Sequence, residues 1–320
     1  MWKTILRRVL LMIPQIIILS LFIFLIAQAM PGDPFTGLIN PNQSQEVIDR
    51  LREQAGLNDP WYEQYARWVG NALQGDFGRS FLYKLPVTDI IGQRVGNTIW
   101  LSLLTVILTY LIALPLGLFS GRYQNSLFDK AVVVYNFFSF AVPLFIFALI
   151  MLFVFGYRLD WFPTAGSVSS GVTKGTFAYF LDRLHHMILP AVSQALLGTA
   201  VTIQYLRNEV IDAKQMDFVR TARSKGVPTG KVFTRHIFRN ASLPIAAQLS
   251  YEITALISGS VVIEQTFAYP GIGKLFIDAI NGRDYSVITA LVLILGVVTV
   301  VGNLISDIVM SIVDPRIRIQ

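Results

Sequence analysis

Residues 9–29 read VLLMIPQIIILSLFIFLIAQA, twenty-one positions without a charge. A bilayer's hydrocarbon core is about 30 Å thick and takes about 20 apolar residues of helix to cross. This run is long enough. Four others match it: 98–120, 131–155, 187–206 and 286–313, the last interrupted only by Asp307. A shorter run, 245–263, carries Glu252. Lipid offers an open backbone no hydrogen-bond partner, so each run is expected as a helix. The chain therefore reads as an all-α integral membrane protein with about six transmembrane helices. Lys3, Arg7 and Arg8 could instead head a cleaved signal peptide. The first run exceeds the usual h-region of about 7–15 residues, and no small-x-small site stands before Pro31-Gly32-Asp33-Pro34. Retention as a span is expected.

Of 320 residues, 53% are hydrophobic and only 14% charged, which excludes a soluble globular domain. There is no cysteine, so disulfides, thiolate metal sites and cysteine nucleophiles are excluded. The net charge of +6 is unevenly distributed. With both termini cytoplasmic, the inner segments hold fifteen basic and five acidic residues, against eleven and twelve in the outer segments. Positive charge inside is the expected bias. The excess reports topology, and nucleic-acid binding is not needed to explain it.

The spans divide the chain into 1–30, the N-terminal tail and first helix; 31–97, a long extracytoplasmic segment; and 98–320, the membrane core. In the outer segment, Val47, Ile48, Leu51 and Ala55 suggest a helix over 45–55. Asp59-Pro60 reads as N-cap and first helical residue of another. Trp61, Tyr65, Trp68, Val69 and Ala72 share a face of it, and Gly75 is a plausible stop. Packing of that face on the membrane interface or on the protein's own spans is favoured over docking of an external partner. Trp161-Phe162-Pro163 reads as an interfacial anchor followed by a turn.

Residues 207–244, between the fourth and fifth spans, form the longest inner segment. Asp217 is placed to cap a short helix reaching Lys225, with Arg223 and Lys225 in a last turn whose dipole favours them. Gly226 follows as a residue able to take positive φ. Pro228 opens a second helix to about Arg239, ended by Asn240, and Leu243-Pro244 leads into the fifth span. A solvated loop that only sets topology would not need Phe218, Val219, Val232, Phe233, Ile237 and Phe238. A protein partner that covers them explains more than anionic lipid does.

The segment Asp217-Phe218-Val219-Arg220-Thr221-Ala222-Arg223-Ser224-Lys225-Gly226, followed by His236, Arg239-Asn240-Ala241 and Leu243-Pro244, resembles the cytoplasmic coupling loop of ABC importer permeases. Arg220 and Thr221 stand where the general pattern has Glu and Ala. That departure, and the longer interval to Leu243-Pro244, match the peptide and nickel branch. Further stretches, in order along nearly the whole chain, resemble the B-type permease subunit of that branch. They are Pro31-Gly32-Asp33-Pro34, Gly75-Asp76-Phe77-Gly78-Arg79-Ser80, Trp161-Phe162-Pro163, Tyr269-Pro270-Gly271-Ile272-Gly273, Arg283-Asp284-Tyr285 and Asp314-Pro315-Arg316-Ile317-Arg318.

The resemblance implies the transmembrane pathway subunit of an ATP-driven importer for oligopeptides or dipeptides in a bacterial cell membrane. It implies a second homologous permease subunit, two ATPase subunits docked on coupling loops, and an extracytoplasmic peptide-binding protein. ATP and Mg would be bound by the ATPase partners, with no cofactor or metal in this chain. Gly273-Lys274 is a poor P-loop, since Leu275 replaces Ser or Thr and Ala268 stands at the first glycine position. Intramembrane acids are costly and tend to face a cavity or a partner. Glu252 and Asp307 are therefore candidates either for the pathway or for pairing within the bundle; Glu264 reads as a residue of the outer mouth. Ala113-x3-Gly117-x3-Gly121 allows close helix approach, within the chain or between subunits. His185-His186 reads as a polar boundary pair. The competing functions are a nickel importer's permease, an ion-coupled transporter or channel, and an intramembrane enzyme. For the last, no nucleophile–base or metal-ligand cluster stands in the spans.

Overall fold

The computed structural model describes residues 2–29, 53, 58–242, 245 and 259–313. Among the described residues there is no strand, only an isolated antiparallel bridge between Arg79 and Pro86. The first helix is α1, Trp2–Ala29. Then come α2, Trp61–Leu73, and α3, Val87–Arg122. Next are α4, Leu127–Ala141, and α5, Leu144–Met151, which runs on π-wound through Leu152–Arg158. The long α6 is Phe177–Ala213, and α7 is Asp217–Ser224. A single run, α8, joins Thr229–Lys231, the π-wound Val232–Ile237 and Phe238–Ala241. Last come α9, Val261–Thr266; α10, Ile272–Asn281; and α11, Tyr285–Val313.

Among the described residues, four stretches are long and apolar enough to cross a membrane alone: Leu6–Ala29, Val87–Arg122, Phe177–Ala213 and Tyr285–Ser306. The helical transmembrane fold expected from hydropathy holds. The third expected span does not run straight: α4 and α5 meet at 102°. The cause is local. Pro143 has no N–H to continue the ladder, and it pushes Val142 to extended backbone at φ −90°, ψ 121°. Pro115 and Pro190 sit inside α3 and α6 without ending them. The run 245–263 is not one helix either. Gly259 takes φ +65°, and Ser260 is extended and caps α9 with its side chain, so Ile263 belongs to a separate short helix. Apart from Ile245, the run before Gly259, Glu252 included, lies outside the described residues. So do the expected helix over 45–55, residue 53 apart, and the motifs at 31–34 and 314–318.

α3 and α6 lie side by side and run the same way. Their close approach explains the small-residue stripe. A Cβ on Gly117 would fall 3.0 Å from the Cβ of Leu206, and one on Gly121 would fall 2.7 Å from that of Val210. The stripe is thus an interface inside the chain. α2 folds back on α1. The Tyr65 hydroxyl lies 2.8 Å from that of Ser20, and the Phe24 ring stands edge-on to Tyr65 at 5.4 Å and 6.0 Å from Trp68. This is the own-span packing expected of that aromatic face, although Trp61 stays exposed. The cap shifts by one residue: Pro60 is the N-cap, and the Asp59 carboxylate pairs with Arg67 instead. Gly75, at φ +78°, ends the helix as expected.

Candidate functional site

Both helices of the inner loop form, with small shifts. α6 continues through 207–213, so the loop begins at Lys214. Met216 is the N-cap of α7; Asp217 is its first helical residue and lies 3.6 Å from Arg220, both exposed. The C-terminus is a Schellman turn. Val227 N–H donates to Ala222 C=O at 3.2 Å and Gly226 N–H to Arg223 C=O at 2.9 Å, with Gly226 at φ +72°.

The apolar side of the loop is not left for a partner. Val219 and Ala222 are buried with Val232, Phe233 and Ile237 of α8 and with Leu206, Val210 and Ala213 of α6. Phe218 is half-buried against the same cluster. This corrects the expectation that a partner covers these side chains; only Phe238 remains exposed. What faces outward carries three basic residues against one acid: Asp217, Arg220, Thr221, Arg223, Ser224, Lys225 and Gly226.

The loop stands on a polar knot. Arg207 of α6 holds Asp129 of α4 bidentately, at 2.7 Å from Nε and 2.9 Å from the guanidinium end. Asp129 also accepts from the Ser120 hydroxyl and, at 2.8 Å, from Asn125 N–H. Lys214 donates to Gly121 C=O at 3.0 Å and Arg122 C=O at 3.2 Å, filling orphan carbonyls at the end of α3. Burial first, and then the charge of Arg223, hold the Lys214 ammonium below its ordinary pKa. Arg122 lies over the Phe233 ring at 4.7 Å. The ends of α3, α4 and α6 are thus pinned together directly beneath α7 and α8.

The other end of the molecule gathers the remaining motifs that lie within the described residues. Glu264 is 1% exposed. Its carboxylate accepts from the Thr98 hydroxyl at 2.8 Å and from Lys274 N–H at 3.0 Å. The Thr98 hydroxyl in turn accepts from Ile272 N–H at 2.8 Å. A Cβ on Gly271 would lie 2.3 Å from that carboxylate, so glycine there is a matter of space. The N-terminus of α10 is therefore filled by the chain's own acid, and Gly273-Lys274 is no phosphate cradle. Ser80 donates to Asp284, which also takes Leu82 N–H at 2.9 Å. This joins the stretch 75–80 to 283–285 across two hundred residues. Arg183 donates to Asn97 Oδ1 at 3.1 Å, and Asn97 donates to Pro270 C=O at 2.9 Å. His185 shares a 2.9 Å hydrogen bond with Trp161 C=O, and His186 bonds Asp182 C=O at 2.8 Å.

Within 217–226, Asp217, Arg220, Thr221, Arg223, Ser224, Lys225 and Gly226 thus come together on one exposed surface, while Val219 and Ala222 are buried beneath it and Phe218 is half-buried. Glu252 and Asp307 are not brought to that surface. Glu252 lies outside the described residues, as does the side chain of Asp307, whose backbone belongs to α11. Sequence reasoning missed the Asp129–Arg207 pair and the Glu264 cradle. An acid seven residues before Gly271-Ile272-Gly273, at the start of a helix, was the available signal for the second.

The profile for the binding-protein-dependent transport system inner membrane component matches residues 113–319, and that for its N-terminal membrane component matches 1–102. The chain is 42% identical over 315 residues to the oligopeptide transport system permease protein AppB of Bacillus subtilis, covering 98% of each. It is 31% identical over 318 residues to the glutathione transport system permease protein GsiC of Escherichia coli, covering 99% of each.

Proposed function

Since the chain belongs to the family of binding-protein-dependent transport system inner membrane components, we propose that it is the transmembrane pathway subunit of an ATP-driven importer of oligopeptides or dipeptides. The named substrates of both relatives are peptides, glutathione being a small one, and that supports a peptide over nickel. The chain would pair with a second homologous permease subunit, two ATPase subunits and an extracytoplasmic peptide-binding protein. ATP and Mg would sit on the ATPases, and no catalytic step would belong to this chain. The spans would rock between inward-open and outward-open states as nucleotide binds and leaves.

The observation that carries this reading is the construction of α7. Its apolar side is anchored on α6 and α8, and its polar side faces out on a turn that only a positive φ allows. A solvated topology signal needs neither feature. A rigid lever needs both, because a push on its outer face must reach α3, α4 and α6 without being absorbed. Residues 217–226 are accordingly assigned to the ATPase contact. An ion-coupled transporter would need no such lever. Glu252 and Asp307 are assigned to the pathway; if so, Glu252→Gln or Asp307→Asn changes uptake kinetics while assembly persists.

The test is copurification of the tagged chain, with its partners identified by mass, followed by reconstituted uptake. ATP-dependent entry of labelled peptide, with the chain alone hydrolysing no ATP, is expected. ATP-dependent entry of nickel and not of peptide would replace the substrate. Uptake by the chain alone, driven by an ion gradient, would replace the mechanism.

A further inference from the structure

The apolar cluster that anchors α7 draws on α6, α8 and, at its edge, Tyr110, Leu114 and Leu118 of α3. Among the described residues, none of it comes from α4. The inner end of α4 is tied to its neighbours by Asp129 instead. That residue is 2% exposed, and its carboxylate holds three places at once. It takes two hydrogen bonds from Arg207 of α6, one from the Ser120 hydroxyl of α3 and one from Asn125 N–H in the turn between α3 and α4. One turn along α4, Val132 clusters with Ala113 and Ile203, and the Tyr135 hydroxyl meets that of Thr199 at 2.8 Å. Next on the helix, Asn136 and Ser139 are buried, with the Asn136 amide and the Ser139 hydroxyl unpartnered. Unmet polar groups weaken a buried seam, so the firmest hold on α4 is at Asp129.

We propose that Asp129 and Arg207 are positioning residues for the transport step: the pair is the joint by which α6, moved by α7, carries α4 and the bent third span with it. The inference rests on the assignment of residues 217–226 to the ATPase contact. Apolar burial is non-directional, so packed apolar faces can slide past one another. A bidentate guanidinium–carboxylate pair fixes distance and angle together. Its burial on the Asp129 side also spares it from screening by salt. Arg207 stands on α6 just ahead of the junction with α7. Past the bend, Ala148 and Leu152 of α5 cluster with Ile263 of α9 and Phe267 at its end. A shift of α4 therefore reaches the end of the molecule where Glu264 lies. Stability alone does not call for charge at such a place, because a well-packed apolar pair of similar volume often serves as well.

The test uses the complex copurified with the tagged chain and reconstituted in proteoliposomes. Arg207→Lys keeps the charge and loses the fork. Asp129→Asn/Arg207→Met removes the pair and leaves no unpaired charge. Copurified ATPase, basal hydrolysis and melting temperature report assembly and fold, and labelled peptide taken up per ATP hydrolysed reports coupling. Both variants should keep the first three near wild type. Peptide per ATP should fall on the order of tenfold in the double variant, and by less in Arg207→Lys, which still bridges. A wild-type ratio in either assembled variant overturns the proposal. So does a lowered melting temperature with the ratio unchanged, which marks a pair that only holds the fold. If the double variant does not assemble, Arg207→Lys decides: a reduced ratio supports the joint, and a wild-type ratio overturns it. Wild type without ATP-driven uptake overturns the importer reading instead, and this inference with it.

Discussion

Gly226 and Glu264 show two ways in which one residue fixes a local structure. At Gly226 the constraint is torsional: φ is +72°, yet an added Cβ would meet nothing within 4 Å. Gly226→Val therefore stores about 1–3 kcal/mol of backbone strain without a clash, and α7 would meet the proposed ATPase at a changed angle. Uptake should be lost at normal membrane level, and Gly226→Asn, which tolerates positive φ, should restore part of it. Uptake at the wild-type rate by well-expressed Gly226→Val would reduce the loop to a topology signal. At Glu264 the constraint is electrostatic and spatial. Glu264→Ala leaves Thr98 and Lys274 N–H without their acceptor in a buried site, at about 1–3 kcal/mol each. The purified protein should melt earlier, and Glu264→Gln, which keeps volume and one acceptor oxygen, should lose less. An unchanged melting temperature for Glu264→Ala would mean that the cradle contributes nothing to stability. Gly226 was legible in the sequence because a glycine after a basic last turn is a local signal. Glu264 was legible only as an acid ahead of Gly271-Ile272-Gly273; its cradle was not, because its partners Thr98 and Lys274 come from separate elements, one of them 166 residues away.

At the scale of elements, α7 shows why an apolar residue in a loop does not by itself imply a partner. Val219 lies one residue from the exposed Arg220, yet it is fully buried against α6 and α8. The helical period placed it on a face, but nothing local says whether that face meets its own chain or another. The two faces should separate on mutation. Val219→Asp buries a charge at a cost on the order of 3 kcal/mol, so the α7–α8 end should become protease-sensitive and the melting temperature should fall. Arg220→Glu/Arg223→Glu reverses only exposed charge, so the melting temperature should hold while copurifying ATPase is lost. ATPase retained at wild-type stoichiometry by the double variant would exclude the basic face as the contact. The bend at Val142-Pro143 was half legible in the same way. Pro143 is a local signal that the run 131–155 can kink, but hydropathy carries no angle, and the 102° turn depends on how α5 packs against α6 and α9.

At the scale of the whole molecule, the described parts of the two charge classes read from the sequence lie at two physical ends. α3 and α6 run parallel, so Asn97 meets Arg183 at one end while Gly121 meets Lys214 at the other. The Gly75–Ser80, Tyr269–Gly273 and Arg283–Tyr285 stretches collect with the first pair, and the basic loop with the second. Hydrogen bonding alone thus sorts the chain as the positive-inside rule does, although the rule assigns the membrane face and the bonds do not. The remaining step is to assign the faces. The chain has no cysteine, so single cysteines give clean readouts. Lys174, exposed in the turn before α6, belongs to the first end, and Gly230, exposed at the start of α8, to the second. With basic residues held inside, Gln45→Cys and Lys174→Cys should react with an impermeant maleimide in intact cells. Gly230→Cys should react only after permeabilisation. Lys174 and Gln45 must behave alike, because α3 and α6 both descend from that side. Labelling of Gly230→Cys and not of Lys174→Cys in intact cells would invert the molecule, put α7 on the wrong side for any ATPase, and remove the lever mechanism with it. Labelling of Gln45→Cys and Lys174→Cys from opposite sides would instead refute the parallel course of α3 and α6, and with it the crossing by the bent pair α4–α5 that this course requires.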